Sequence, residues 1–294
     1  MAAAISKLIL LAALLAPAAL SAQGAGADTA AFARALDLEG AGNYPAAAPL
    51  YRAALAGPDR VNAMLGLERV YAELHMTDSL LAPLDSCIAR DPAEPVFRSV
   101  QLRAYGMLAR DDMVRRSFDA WVRAVPGSVE PYRDYARLLL QAGRAAAADS
   151  IIALAGRALG ATSSLAMEQA QSRAALGDWA GAAAAWRVAL AADPDLDQAA
   201  AFSLAPAPDS LRPAMARTFA APPAALGPRR ALAQLQLSWG APAEAWAALR
   251  DLPPDSASVD AWLDFAQQAA SGERWTLARD AYVAALHARP GPAL

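Results

Sequence analysis

The sequence contains little cysteine, histidine, lysine or aromatic side chain. Cys87 is the only cysteine among 294 residues, which excludes a fold stabilised by internal disulfides. Lys7 is the only lysine, and a net charge of −3 provides no basic excess that would favour nucleic acid as a partner. Aromatic residues make up only 7%, whereas about 28% of the chain is alanine. Because alanine forms helices readily and strands poorly, this composition favours an all-α protein.

The first residues have the pattern of an export signal. Lys7 precedes an apolar run over residues 8–20, and small residues follow that run. This arrangement is typical of a secretory signal peptide, here residues 1–22, with a linker over residues 23–28. The alternative is an N-terminal anchor that is not cleaved. The signal predicts a periplasmic or extracellular protein that has no membrane-spanning helix after cleavage.

A turn residue recurs every 34 residues along the chain. The series is Pro58, Pro92, Pro126, Gly160, Pro194 and Pro228. Residues that break helices at one fixed interval mark the ends of repeated units. Within the units a small residue precedes a large one by four positions, as with Ala182 and Trp186, which places both on one helix face. Each unit also carries an earlier apolar helix, so we expect pairs of amphipathic helices joined by tight turns.

The period, the small positions and the closing proline resemble those of the tetratricopeptide repeat (TPR) family. The resemblance implies an all-α solenoid of about eight antiparallel helical hairpins, wound as a right-handed superhelix. It covers residues 29–195 as repeats 1–5 and residues 226–292 as repeats 7 and 8. Between them, five prolines predict a degenerate repeat with short helices over residues 196–225. Since the family consists mainly of binding scaffolds, the resemblance implies a protein or peptide partner.

The sequence offers no constellation for catalysis, a cofactor or a metal. His75 and His287 are far apart in a repeat array that brings only neighbouring repeats together, so they cannot share a metal ion. Phosphate-binding loops, nucleophile elbows and zinc-protease motifs are missing. Cys87 falls where an apolar helix face expects a small residue, which predicts a buried structural thiol. We therefore expect a protein that is not an enzyme and binds no cofactor.

The candidate partner-binding surface is a column of polar residues on the first helices of successive repeats. This arginine column consists of Arg69, Arg103, Arg133, Arg137 and Gln171. Most of its members are 34 residues apart, and Arg133 shares a helix face with Arg137. In the TPR family the first helices line the concave surface, so the column would suit the carboxylates of an acidic peptide. The alternative is a set of surface ion pairs with Glu68, Glu73 or Glu130.

The tryptophans occupy repeat positions that pack between helices. Those expected in the core are Trp179, Trp186, Trp262 and Trp275. We expect Trp239 and Trp246, which flank a turn at Gly240, to be partly exposed.

The last repeat is not followed by the polar helix that usually caps a repeat array, since only four residues follow Pro290. Its apolar face is therefore tolerated, covered by another subunit, or continued in a longer chain. Two classes of function remain. One is an exported, non-catalytic scaffold that holds a peptide or helix in its concave groove. The alternative is an assembly subunit that docks or oligomerises through this C-terminal face, or an accessory domain of a larger envelope protein.

Overall fold

The computed structural model describes residues 30–160 and 163–288, which form sixteen α-helices and no strand. The predicted all-α fold of repeated helical hairpins is confirmed. The signal peptide predicted over residues 1–22 and the linker over residues 23–28 lie outside the described residues. None of the described helices is long and apolar enough to span a membrane.

The helices group into two compact units, one ending at Asp134 and the other beginning at Tyr135. The first unit contains α1 (residues 30–40), α2 (Tyr44–Ala54), α3 (Arg60–Glu73), α4 (Leu81–Arg90), α5 (Pro95–Met107) and α6 (Asp111–Ala124). The boundary falls within α7 (Glu130–Gln141). The second unit continues with α8 (Ala145–Leu159), α9 (Ala166–Ala175), α10 (Trp179–Ala192), α11 (Asp197–Leu204), α12 (Arg212–Ala220), α13 (Leu226–Ser238), α14 (Pro242–Arg250), α15 (Ser256–Ser271) and α16 (Trp275–Ala288).

Two aspartates show how individual helices are started. The Asp178 carboxylate accepts a hydrogen bond from the Gly181 amide at 2.9 Å, and the Asp255 carboxylate accepts one from the Ser258 amide at 2.8 Å. Each satisfies an amide that has no partner inside the helix it precedes, α10 or α15. Hydrogen bonds from Ser258 also lower the pKa of the Asp255 carboxyl group. Short polar residues before apolar runs therefore fix where these helices begin.

The turn inside seven of the eight described hairpins contains one residue with positive φ. These residues are Gly42, His75, Ala109, Gly143, Gly177, Gly240 and Glu273. The amide that follows each of them donates to a carbonyl five residues earlier, as from Arg144 to Leu139 at 2.8 Å, which closes the first helix. Neighbouring turn residues are 33 or 34 positions apart, except for 63 positions between Gly177 and Gly240. The exception arises because the hairpin of α11 and α12 has no such residue.

Replacing Ala109 with glycine should raise the free energy of unfolding by about 0.5–1 kcal/mol. The φ of Ala109 is +54°, a conformation that costs a residue with a Cβ atom roughly 1 kcal/mol and costs glycine little. The reverse change, Gly143→Ala, should destabilise by a similar amount, because nothing lies within 4 Å of the added Cβ atom and only its φ of +71° is strained. Urea denaturation followed by circular dichroism measures both effects. The two substitutions should change the free energy of unfolding in opposite directions. Changes in the same direction would contradict the explanation from φ.

The proline count predicted from the sequence fails at the sixth hairpin. Pro194 follows the second helix of its hairpin, but Pro228 is the third residue of α13. The prediction that Pro228 closes a repeat is therefore wrong: in the first turn of a helix the missing N–H of proline costs no hydrogen bond. The preceding helices α11 and α12 have only 8 and 9 residues. The sixth hairpin therefore contains fewer residues than the other hairpins.

Burial agrees with most of the predicted core positions. Cys87 is a buried free thiol, and Trp186 and Trp262 are buried as predicted. Trp246 is also buried, although partial exposure was predicted. The prediction is wrong for Trp275, which is 67% exposed. Its position faces away from the preceding hairpin, and no described helix follows α16 to cover it.

Candidate functional site

In the first unit, two members of the arginine column form forked ion pairs between successive hairpins. Arg69 of α3 donates from Nε and Nη2 to the carboxylate of Glu39 in α1, at 2.7 and 3.0 Å. Arg103 of α5 donates in the same way to Glu68 in α3, at 2.7 Å for both bonds. Such bidentate pairs are stronger than single hydrogen bonds. Of the glutamates considered as alternative partners, Glu68 forms one of these pairs, whereas Glu39 was not among them. Each pair ties one first helix to the next.

The remaining members of the column have similar surroundings. In the second unit, Nε of Arg137 donates to Glu168 of α9 at 2.8 Å, and only 1% of the Glu168 side chain is exposed. Gln171 is half-buried on α9. In the first unit, Arg133 is half-buried and its charge helps to lower the pKa of Glu130, after the larger effect of a hydrogen bond from Ser128. Carboxylates thus offset most of the positive charge of the column, and its role in binding stays a prediction.

Glu39 is the centre of a small, partly buried network in the first unit. The Tyr51 hydroxyl donates to the same carboxylate that accepts from Arg69. The bond from Arg69 is the main reason why the pKa of Glu39 lies below its usual value. Tyr51 reaches this place because Gly66 of α3 leaves room for it: a Cβ atom on Gly66 would lie 2.4 Å from Cζ of Tyr51. The glycine therefore allows α2 and α3 to pack around the phenol ring.

Tyr51 should make the protein sensitive to alkaline pH. Burial, and then its bond to Glu39, raise the pKa of Tyr51 to about 12 from a usual value of 10. Because the folded state holds this proton more tightly than the unfolded state does, the stabilisation is complete below pH 10 and is lost between pH 10 and pH 12. Urea denaturation at pH 8, 10 and 11.5 should show a smaller loss of stability in Tyr51→Phe than in the wild type. Tyr44→Phe is the control and should keep the wild-type loss, whereas a full loss in Tyr51→Phe would disprove the role of Tyr51.

A polar cavity of about 380 Å³ opens on the first helices of the last three hairpins, all in the second unit. Residues from α11, α13 and α15 surround it, namely Gln198, Arg230, Gln234, Asp264, Phe265 and Gln268. Arg230 is held by Asp197, with Nε 3.2 Å from its carboxylate, and by Asp195 at 3.5 Å. Burial raises the pKa of Asp197, and the Arg230 charge opposes that rise. The arginine is therefore fixed at the edge of the cavity rather than free to move.

The cavity has the chemistry to bind a peptide backbone. The side chains of Gln198, Gln234, Gln268 and Asp264 form no hydrogen bond or ion pair with the described residues, so their polar atoms remain open to a ligand. Each glutamine amide offers two N–H donors and a carbonyl acceptor, which can pair with the C=O and the N–H of a peptide backbone. Phe265 adds apolar surface beneath them. A few polar groups that converge on a concave site are typical of ligand-binding pockets.

The sequence contains a signal for this cavity that a fixed repeat interval does not reveal, namely the position of Gln234 relative to the turn. Gln234 lies six residues before the turn residue Gly240, just as Arg69 lies six residues before His75. Counted from the turn residues, Gln234 therefore belongs to the same column as the arginines. A fixed interval of 34 residues misses it because the short sixth hairpin shifts the register.

One buried position recurs in the second helix of the hairpins and completes the definition of the repeat. Nine residues after the turn residue stands a large side chain that is at most 4% exposed in six hairpins: Tyr51, Leu84, Phe118, Ile152, Trp186 and Leu249. The period, the turn and this buried position together describe one repeated helical hairpin. The described residues form a TPR-like array of helical hairpins.

Comparisons with known proteins find similar chains among solved structures. No protein-family model matches the chain, and no curated protein matches it. A thermophilic TPR protein from Thermus thermophilus has a similar structure, with a TM-score of 0.43 and 20% identity over 60% of this chain and 99% of that chain. A TPR protein from Parabacteroides merdae gives 0.40 and 11% identity over 91% and 95% of the two chains. PilW, a type IV pilus biogenesis factor, gives 0.37 and 17% over 77% and 92%.

These TM-scores are low, so the TPR-like assignment rests on the hairpins themselves. Within residues 30–160 and 163–288, no group of three or more histidine, cysteine or acidic side chains is placed to hold a metal ion. His75 occupies a turn and His287 the last turn of α16. The arginine column and the cavity of the second unit are the candidate binding surfaces on the first helices.

Proposed function

We propose that this TPR-like protein is a non-catalytic interaction scaffold that binds an extended peptide of a partner protein on its first helices. The observation that supports the proposal is the cavity of the second unit, where Gln198, Gln234 and Gln268 have no partner within the described chain. Amides that are hydrogen-bonded only by water can exchange that water for the backbone of a ligand. The signal pattern of residues 1–22 supports export, and a partner in the cell envelope follows from it.

The arginine column has a secondary part in this proposal. Arg69 and Arg103 already use two donors each on Glu39 and Glu68, so an acidic peptide would meet paired rather than free charges. Both arginines still expose about half of their side chains, at 55% and 42%. In the proposal these arginines mainly hold successive first helices together. Their remaining N–H donors contact the peptide but do not select for an acidic sequence.

Selection of peptides against the full-length chain tests the proposed function. A random peptide display library is the probe, and isothermal titration then measures the affinity of the enriched sequences. We expect Gln234→Ala/Gln268→Ala to weaken them about tenfold or more, because two backbone hydrogen bonds are lost. Gln236→Ala is the matched control, since Gln236 lies on α13 with Gln234 but neither lines the cavity nor belongs to the column.

Three results are informative. Weakening in the double variant with unchanged binding in the control supports the cavity as the binding site. Equal binding by wild type and double variant would contradict the cavity, and loss of binding in Arg69→Gln/Arg103→Gln would move the site to the arginine column. A chain that enriches no peptide would contradict the scaffold function.

A further inference from the structure

The last helix, α16, exposes a continuous apolar face. Trp275 and Leu286 are 67% and 64% exposed, and Tyr282 and Val283 are 42% and 43% exposed. Together with Arg279 they line an open cavity of about 400 Å³. Single exposed apolar side chains are common, whereas a contiguous group along one helix is typical of an interaction surface.

The same face is an interior surface in the other hairpins. Tyr282 lies nine residues after the turn residue Glu273, which is the repeat position that is buried elsewhere. Phe118 at this position is covered by Tyr132 of the next hairpin, with ring centroids 5.4 Å apart. Tyr51 is covered in the same way by the chain around Gly66. The face of α16 therefore continues the stacking interface of the repeats, with no described helix over it.

The α16 face is complementary to itself. An antiparallel α16 helix related by a twofold axis between Asp280 and Ala281 would place Trp275 opposite Leu286 of the second copy. The same axis sets Val283 over the nearly buried Ala278, which is 3% exposed in the lining of the cavity, and Arg279 against the ring of Tyr282. The last pair provides a cation–π contact, and no two like charges face each other. In a twofold interface each of these contacts occurs twice.

We propose that a second copy of this chain covers the face, through antiparallel pairing of α16 with α16. The interface consists of Trp275, Ala278, Arg279, Tyr282, Val283 and Leu286 from both copies. Apolar side chains that recur at three- and four-residue spacing along one helix are the pattern that pairs helices side by side. The α16 face and the cavity of the proposed peptide site share no lining residue, so the dimer can be tested separately from the scaffold function.

Sedimentation velocity of the full-length chain over a range of concentrations tests the dimer. The wild type should self-associate, and Trp275→Glu and Leu286→Lys should each raise the dissociation constant about 100-fold or more, because each places two unpaired charges in the interface. Phe202→Glu is the control: Phe202 is 85% exposed on α11, outside this face, and its replacement should leave association unchanged. Circular dichroism should show wild-type helix content in all three variants, since the replaced side chains are exposed.

Mixing the two defective variants tests the register. In a mixed dimer the new carboxylate of one copy faces the new ammonium of the other, while the second Trp275–Leu286 contact is retained, so association should return. Failure to recover on mixing would overturn the antiparallel register. The proposal is overturned if the wild type stays monomeric or if both variants still dimerise. A different partner protein would then be expected to cover the face.

Discussion

Phe118→Ala should lower the free energy of unfolding by about 3–5 kcal/mol, among the largest effects expected for a single substitution in this chain. Phe118 is 1% exposed and packs edge-on against Tyr132 at 5.4 Å. Arg115 also lies over its ring, 5.6 Å from the centroid. Alanine would remove these contacts and leave a cavity between α6 and the next hairpin, which the surrounding helices can close only in part.

Tyr282→Ala is the matched control, because Tyr282 holds the same repeat position in the last hairpin. Its ring is 42% exposed, so the substitution should cost less than about 1 kcal/mol. Urea denaturation followed by circular dichroism gives both values, measured at a concentration where the chain does not self-associate. Equal losses at the two positions would show that the next hairpin adds little to the burial of this site.

Gly227→Ala should lower the free energy of unfolding by about 2 kcal/mol, because the added methyl group has no space. Gly227 is in the first turn of α13, where an added Cβ atom would lie 2.7 Å from the Leu190 carbonyl oxygen and 2.9 Å from Cα of Pro194. Both are backbone atoms, so the clash can be relieved only by moving α13 away from the end of α10. The higher helix propensity of alanine offsets less than about 1 kcal/mol of this loss.

Gly40→Ala provides the comparison for the same substitution without a clash. Gly40 ends α1, and nothing lies within 4 Å of a Cβ atom built on it. We expect it to be neutral or to stabilise by up to about 1 kcal/mol, through the higher helix propensity of alanine. Thermal or urea unfolding distinguishes the two glycines. A loss at Gly40 as large as that at Gly227 would mean that the close approach of α13 to α10 is not the cause.

The fold could be predicted from the sequence because its signals are local. The four-residue spacing of Ala182 and Trp186 specifies a helix face without reference to distant residues. Turn glycines such as Gly143 and Gly177 mark where a first helix ends, and their interval sets the size of the hairpin. Burial at Trp275 could not be predicted in this way, because it depends on whether another helix covers the position.

The candidate site was harder to predict because its polar contacts do not follow the repeat. Glu39, Glu68 and Glu168 pair with equivalent arginines, yet they lie three, seven and nine residues before their own turn residues. A periodic search finds the arginines, but of these three partners only Glu68 was considered from the sequence. The cavity was missed for a related reason, since the short sixth hairpin displaces Gln234 from the expected interval.

The burial of Cys87 makes this chain a ready subject for thiol chemistry. Its only thiol is 1% exposed on α4, so the native protein should react slowly with a thiol reagent, and a cysteine introduced on the surface would be labelled selectively. Cys87 belongs to the first unit, and the second unit contains no cysteine. The rate at which Cys87 becomes reactive in mild denaturant therefore reports the opening of the first unit alone, separately from the loss of helix in the whole chain.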